Sequence, residues 1–274
     1  MRRGLSLIAL GALVAGAGAG ALAAPPPLAT AASGWQVDFG DQRCLAIRRF
    51  TVGPTAFTLA IEPDVDGRGA RLIFRPERAK VSPGRYRARL SIDGRQVAER
   101  MTVWPATSTG VLMMSGFRLE EEEAPLPLAA ARTLTLQSLG LSATVPLSAM
   151  ATVTPLLEDC NAGLLESWGF SRADQARMAE RPKGRVARFF RPDDYPVASL
   201  RSGAQGEVAV RYTVGADGKA SGCTVRMTSG DPALDKATCD VFDRRVRQIP
   251  AKDRSGAPMA IIDVGRISWI FPGF

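Results

Sequence analysis

The residue types that usually carry catalysis are thinly represented in this chain. No histidine occurs among its 274 residues, which removes Ser-His-Asp and Cys-His nucleophilic catalysis, His-ligated zinc and imidazole proton transfer together. Hydrolysis would then rest on carboxylates, lysine or an activated serine, and paired acids must stand on facing elements to act on one bond. Asp193 and Asp194 are sequence neighbours beside an Arg- and Pro-rich stretch, and they read as helix-capping or loop acids. No G-x-S-x-G, P-loop or S-x-x-K pattern is present. The glutamates at 120–123 lack the alternating oxygen ligands and glycine turn of an EF-hand-like site, so they read as a solvated loop. The expectation is a protein that is not an enzyme and carries no metal or cofactor.

Cys44, Cys160, Cys223 and Cys239 are the remaining reactive residues. No C-x-x-C and no second ligand type accompanies them, which argues against a thiolate metal site or a redox pair. Their meaning depends on compartment, and the N-terminus speaks to that. A positive n-region at residues 1–3, an uncharged Leu/Ala/Gly run at 5–23 and A-x-A-like sites at Ala21-Leu22-Ala23 or Ala29-Thr30-Ala31 form an export signal over residues 1–31. The other reading is a membrane anchor, though so much Gly and Ala makes a poorly hydrophobic span. Every later stretch is broken by charge or proline. In an exported chain four thiols suggest two disulfides, with three pairings open. Local pairing would close each half of the chain on itself.

The composition is that of ordinary globular material, with 46% apolar and 23% charged residues. The net charge is +8, yet the basic residues are scattered and the aromatic share is only 7%. That argues against a nucleic-acid platform, which needs clustered cations and stacking rings.

Residues 35–170 read as a mostly-β, sandwich- or barrel-like domain. Apolar residues alternate at Trp35, Val37 and Phe39, at Phe57, Leu59 and Ile61, at Tyr86, Ala88, Leu90 and Ile92, and at Val97, Met101 and Val103. Turn residues fall between these runs, with Asp66-Gly67, Pro83-Gly84 and a two-residue hairpin turn at Asp93-Gly94. A further strand is expected at 133–136. Thr154-Pro155 supply an N-cap and a first-turn proline for a helix that carries Leu157, Cys160, Leu164 and Trp168 on one face. Cys160 would thereby point into the core, within reach of Cys44 on an early strand. Residues 171–192 read as a short linker, with a helical turn or two around 173–180.

Residues 193–274 follow the order helix, strand, strand, helix, strand. A short helix at 197–200 leads into a strand alternating at Val208, Val210, Tyr212 and Val214, and a turn follows at Asp217-Gly218. The next strand carries Cys223, Val225 and Met227. Asp231-Pro232 then cap a helix whose stripe is Cys239, Phe242 and Val246, bordered by Leu234 and Val241. A final strand of 13 residues is expected from Met259 to Phe271.

The ordered set Tyr195-Pro196, Leu200-Arg201, Gly203-x-x-Gly206-x-Val208-x-Val210, Val214-x-x-Asp217-Gly218, Thr228-Ser229-Gly230, Leu234-Asp235-x-Ala237, Pro250-Ala251 and Gly256-x-Pro258 resembles the C-terminal domain of TonB-family energy transducers. The cysteine arrangement and the Leu164-Leu165-x-x-Trp168-Gly169 segment also resemble a two-domain α-proteobacterial TonB-like subgroup. The resemblance implies an α+β fold with a small antiparallel sheet and two helices, in the periplasm of a Gram-negative cell. It implies an outer-membrane TonB-dependent transporter as partner, held as an added strand beside the last strand. The binding residues carried over are Tyr195, Pro196, Ala260, Ile262, Val264, Arg266 and Ser268. Tyr195-Pro196 can equally fix only how the chain leads into the domain, and the edge can equally pair with its own copy in a homodimer.

Two departures from the family bear on force transmission. The hydrophobic run has no His to meet inner-membrane motor proteins, and a folded domain replaces the Pro-rich spacer. An anchored N-terminus would keep motor coupling open. A cleaved one would leave the alternative, a soluble periplasmic binding or adaptor protein without energy coupling.

Overall fold

The computed structural model describes residues 25–64, 69–77, 81–105, 111–118 and 128–271. The glutamates at 120–123, the hydrophobic run and the Asp66-Gly67 turn lie outside them. The first ten strands are β1 (Thr30–Ala31), β2 (Gln36–Phe39), β3 (Cys44–Val52), β4 (Thr55–Pro63), β5 (Gly69–Pro76), β6 (Gly84–Ile92), β7 (Arg95–Pro105), β8 (Val111–Arg118), β9 (Thr133–Ser138) and β10 (Leu141–Pro146). They form one antiparallel sheet in the order β1-β3-β4-β5-β8-β7-β6-β9-β10, with β2 also on β3. Its inner face carries the alternating residues expected from the sequence, among them Phe57, Leu59, Ile61, Leu90, Ile92, Met101 and Val103, each at most 1% exposed. Phe39 is the exception at 56% exposed, although it sits opposite the buried Cys44 at the end of the β2–β3 hairpin. The β6–β7 turn is the two-residue Asp93-Gly94 hairpin, with φ of 48° and 82°, as a type I′ turn requires. Burial works to raise the Asp93 pKa, but backbone N–H groups of Thr133 and Arg132 donate to its carboxylate and hold it below the ordinary value.

The two ends of this sheet meet. Leu28 bridges Thr144 on β10 in parallel, Ala29 N–H donates to Thr144 O and Thr144 N–H donates to Pro27 O, both at 2.7 Å. Residues 27–31 thus join β10 to β3 and close the sheet into a barrel, with Ala29 buried at 1% exposure. Closure removes the two edges that would otherwise invite pairing with another chain. A chain starting at Ala32 will therefore be less stable than one starting at Ala24 by about 2 to 3 kcal/mol, at about 1 kcal/mol for each lost hydrogen bond. Paired denaturant titrations measure this, and coincident midpoints would mean that the segment does not seal the barrel.

Helix α1 (Met150–Ser167) packs on the barrel. It starts a turn earlier than Thr154-Pro155 suggests, which leaves Pro155 inside it. Met150 and Val153 are buried, at 1% and 5% exposure. Their burial is worth roughly 3 to 6 kcal/mol together, against roughly 3 for an interior proline. Leu157, Cys160, Leu164 and Trp168 face the core as expected. Cys160 is bonded to Cys44 and Cys223 to Cys239, which is the local pairing.

Residues 171–192 are folded onto the C-terminal region. They hold α2 (Arg172–Arg177) and β11 (Met178–Glu180), and Met178, Val186, Phe189 and Phe190 pack against the second core. Next come α3 (Val197–Ser202), β12 (Gly206–Val214), β13 (Ala220–Met227), α4 (Pro232–Arg245), β14 (Ala251–Asp253), β15 (Pro258–Met259) and β16 (Ile261–Trp269). Asp231 caps α4, its Oδ1 accepting from Ala233 N and Leu234 N. The buried stripe of α4 is Leu234, Thr238, Val241 and Phe242, with Val246 at its C-cap; Cys239 lies at its border. The expected 13-residue last strand is two strands. Proline 258 and Met259 join β14 and β11 in a separate three-stranded sheet, and the chain changes sheets at Ala260.

Candidate partner-binding edge

The sheet order β13-β12-β16 makes β16 an edge strand among the described residues. It pairs with β12 through nine consecutive positions, from Gly206 opposite Trp269 to Val214 opposite Ile261. Ile261, Asp263, Ile267 and Trp269 are buried. Gly265 lies between them, and an added Cβ there would stand 2.4 Å from Phe242 Cζ. The even-numbered side chains turn to the opposite face.

That opposite face meets the barrel. Val264 packs against the first core, and Ala209 beside it on β12 is 1% exposed. Arg266 donates to Glu62 Oε1 at 3.2 Å and to Glu207 Oε2 at 3.4 Å. Arg71, opposite Glu62 on β5, donates to Glu62 at 2.9 Å and also pairs with Glu207. Two acids and two guanidiniums thus alternate across the contact between barrel and sheet. Burial works to lower the Arg71 pKa, but Glu207 and Glu62 hold it above its ordinary value. Arg211 donates to Trp168 O at 2.8 Å, and Gly169 lets it approach, since a Cβ at this position, with φ of +87°, would lie 2.8 Å from Arg211 Nη1.

The free side of β16 is its backbone. Val264 N–H is accepted by Asp263 Oδ1 at 3.0 Å, so it points away from β12. The main-chain groups of Ile262, Arg266 and Ser268 share that side by alternation. Alongside runs residues 181–187. Arg181 and Pro182 line a small gap with Ile261, Ile262 and Asp263, and Gly184 to Ala187 face Asp263 to Arg266 across a cleft of about 260 Å³. Backbone pairing with β16 is the chemistry such an edge can offer.

The residues singled out from the sequence do not form one surface. Ile262, Val264, Arg266 and Ser268 share β16, Ser268 Oγ donating to Glu207 Oε1 at 3.2 Å. Ala260 is exposed in the link before it. Tyr195 lies elsewhere, its ring edge-on to Trp269 at 5.3 Å between centroids and its hydroxyl donating to Ala204 O. Burial, with the charge of Asp231, pushes its phenol pKa up. Pro196 is the N-cap residue of α3. The sequence reading missed Glu62, Arg71 and Glu207. The signal available was a charge inside each of two apolar strand segments, Ala60-Ile61-Glu62 and Ala70-Arg71-Leu72.

The C-terminal region is thus a small antiparallel sheet with α4 packed on one face and β16 at its edge among the described residues. Residues 191–270 match the family described as the Gram-negative bacterial TonB protein C-terminal. A stretch of 49 residues is 45% identical to Protein TonB of Haemophilus influenzae and covers 18% of each chain. The match thus spans under a fifth of that relative's length. No solved structure matches the chain. Among the described residues no helix is long and apolar enough to cross a membrane.

Proposed function

We propose that this chain is a TonB-like periplasmic protein of a Gram-negative envelope, whose β16 edge takes up an extended N-terminal segment of an outer-membrane TonB-dependent transporter as an added strand and so supports energised transport. The observation that carries the reading is the edge position of β16, with outward backbone groups over Ile262 to Ser268, in a domain matching the TonB C-terminal family. Side-chain selectivity in this mode comes from the cleft wall at residues 184–187, because the even-numbered side chains of β16 are engaged by the barrel. The barrel, held to the sheet by four charges, takes the place of a flexible spacer.

The test is binding of a synthetic peptide from the N-terminal segment of a TonB-dependent transporter. Ile262→Pro removes an outward donor and leaves the β12 ladder intact, as proline on an edge strand can. Binding should weaken at least tenfold while the melting transition stays cooperative; undiminished binding by the folded variant would exclude this edge. The adaptor alternative is separated by the intact mass of the protein recovered from its envelope. Retention of residues 1–31 supports coupling to inner-membrane motor proteins, and a start at Ala24 supports a free periplasmic adaptor.

A further inference from the structure

The outer face of the barrel carries a basic cleft that transporter capture does not use. On β6, Arg85, Arg87 and Arg89 alternate with the inward Tyr86, Ala88 and Leu90, and all three arginines are exposed. No hydrogen bond or ion pair engages their side chains among the described residues. Arg87 stands directly opposite Arg100 on β7, and Arg89 opposite Gln137 on β9. The pairing of β6 with β7 shifts register between Arg87 and Leu90, a bulge of the kind that bends a strand and re-aims its side chains. Around the bulge lies a cleft of about 540 Å³ lined by Arg87, Ala88, Arg89, Gln96, Glu99, Arg100 and Gln137. Its one carboxylate, Glu99, accepts from Gln96 at 2.9 Å.

Arg71 and Arg266, on the barrel–sheet contact, by contrast face acids. Guanidiniums present a fork of donors that fits phosphoryl oxygens bidentately, and the Gln96 and Gln137 amides add neutral donors. No aromatic residue lines the cleft, so base or sugar stacking has no platform. We infer that this cleft binds a multiply charged oxyanion of the phosphate class as a discrete ligand, held by the guanidiniums of Arg87 and Arg89.

The test uses the purified chain at low salt with sodium tripolyphosphate as probe, read by calorimetry and by melting temperature. Saturable binding near one equivalent, with a rise of several degrees, is expected, and it should weaken as salt screens the charges. Arg87→Ser combined with Arg89→Ser should weaken binding at least tenfold while the ligand-free variant keeps a cooperative melting transition. Arg201→Ser, on exposed α3, should leave binding unchanged. Absence of saturable binding overturns the inference, as does equal loss in the Arg201 variant, which would mean a net-charge effect only. Retention by phosphatidylglycerol vesicles without tripolyphosphate binding would make the face a membrane contact and also overturn it.

Discussion

Glu62→Ala will be the most destabilising single substitution at the contact between barrel and C-terminal sheet, by about 3 to 5 kcal/mol, the range for breaking a buried ion pair from one side. Glu62 is 1% exposed and accepts from both Arg71 and Arg266. Its removal leaves two guanidiniums, 8% and 16% exposed in their side chains, to share Glu207. Both lose hydrogen bonds as well as charge balance. Replacing all four members with apolar residues of similar volume should cost far less, because the desolvation of every charge is removed along with the pairing. Denaturant unfolding of the two variants gives the comparison. Hydrogen exchange at residues 207–211 and 264–268 reports where the single variant loosens, and a loss under 1 kcal/mol would mean that the four charges do not hold the contact.

Gly265→Val will rank next. Even a Cβ at this position would stand 2.4 and 2.9 Å from Phe242 ring atoms and 3.2 Å from Tyr212. Neither ring can yield easily. Phe242 lies 4.6 Å from Tyr212 and 5.9 Å from Phe190 between centroids, and both Phe242 and Tyr212 are at most 1% exposed. Overpacking of a filled core costs typically about 1 to 3 kcal/mol, and the branched side chain belongs at the upper end. Phe242→Leu should partly rescue Gly265→Val, so the double variant will be more stable than the sum of the single losses. Strict additivity would show that the clash is relieved elsewhere.

Local pattern made much of this protein legible. Asp93-Gly94 implies a two-residue hairpin because both positions need positive φ, and Asp231-Pro232 implies a helix start because the carboxylate can satisfy orphan N–H groups. These determinants act within a few residues of chain. The α1 boundary shows the limit, since Thr154-Pro155 is a sound local start signal that burial of Met150 and Val153 overrides. The final strand shows another. Nothing local at Ala260 announces that Pro258 and Met259 belong to a separate sheet: they pair with nearby β14, which is held in turn by β11, with Met178 opposite Asp253, 75 positions apart in the chain.

The proposed binding edge divides along the same line. The order of motifs pointed to a TonB-like domain, and that resemblance carried over Ile262, Val264, Arg266 and Ser268, which β16 places on one face of one strand. The sequence by itself thus determined that histidine-dependent catalysis is excluded, several of the strands, the Asp93-Gly94 turn and the Asp231 cap, since each depends on residue type or short spacing. Only the tertiary structure decided that residues 27–31 seal the barrel, that residues 181–187 wall the edge, and that Arg266 faces Glu62 across 204 positions of chain. Such contacts join segments whose separation carries no periodic signal. They exist because two surfaces, each locally unremarkable, bury their charges against one another.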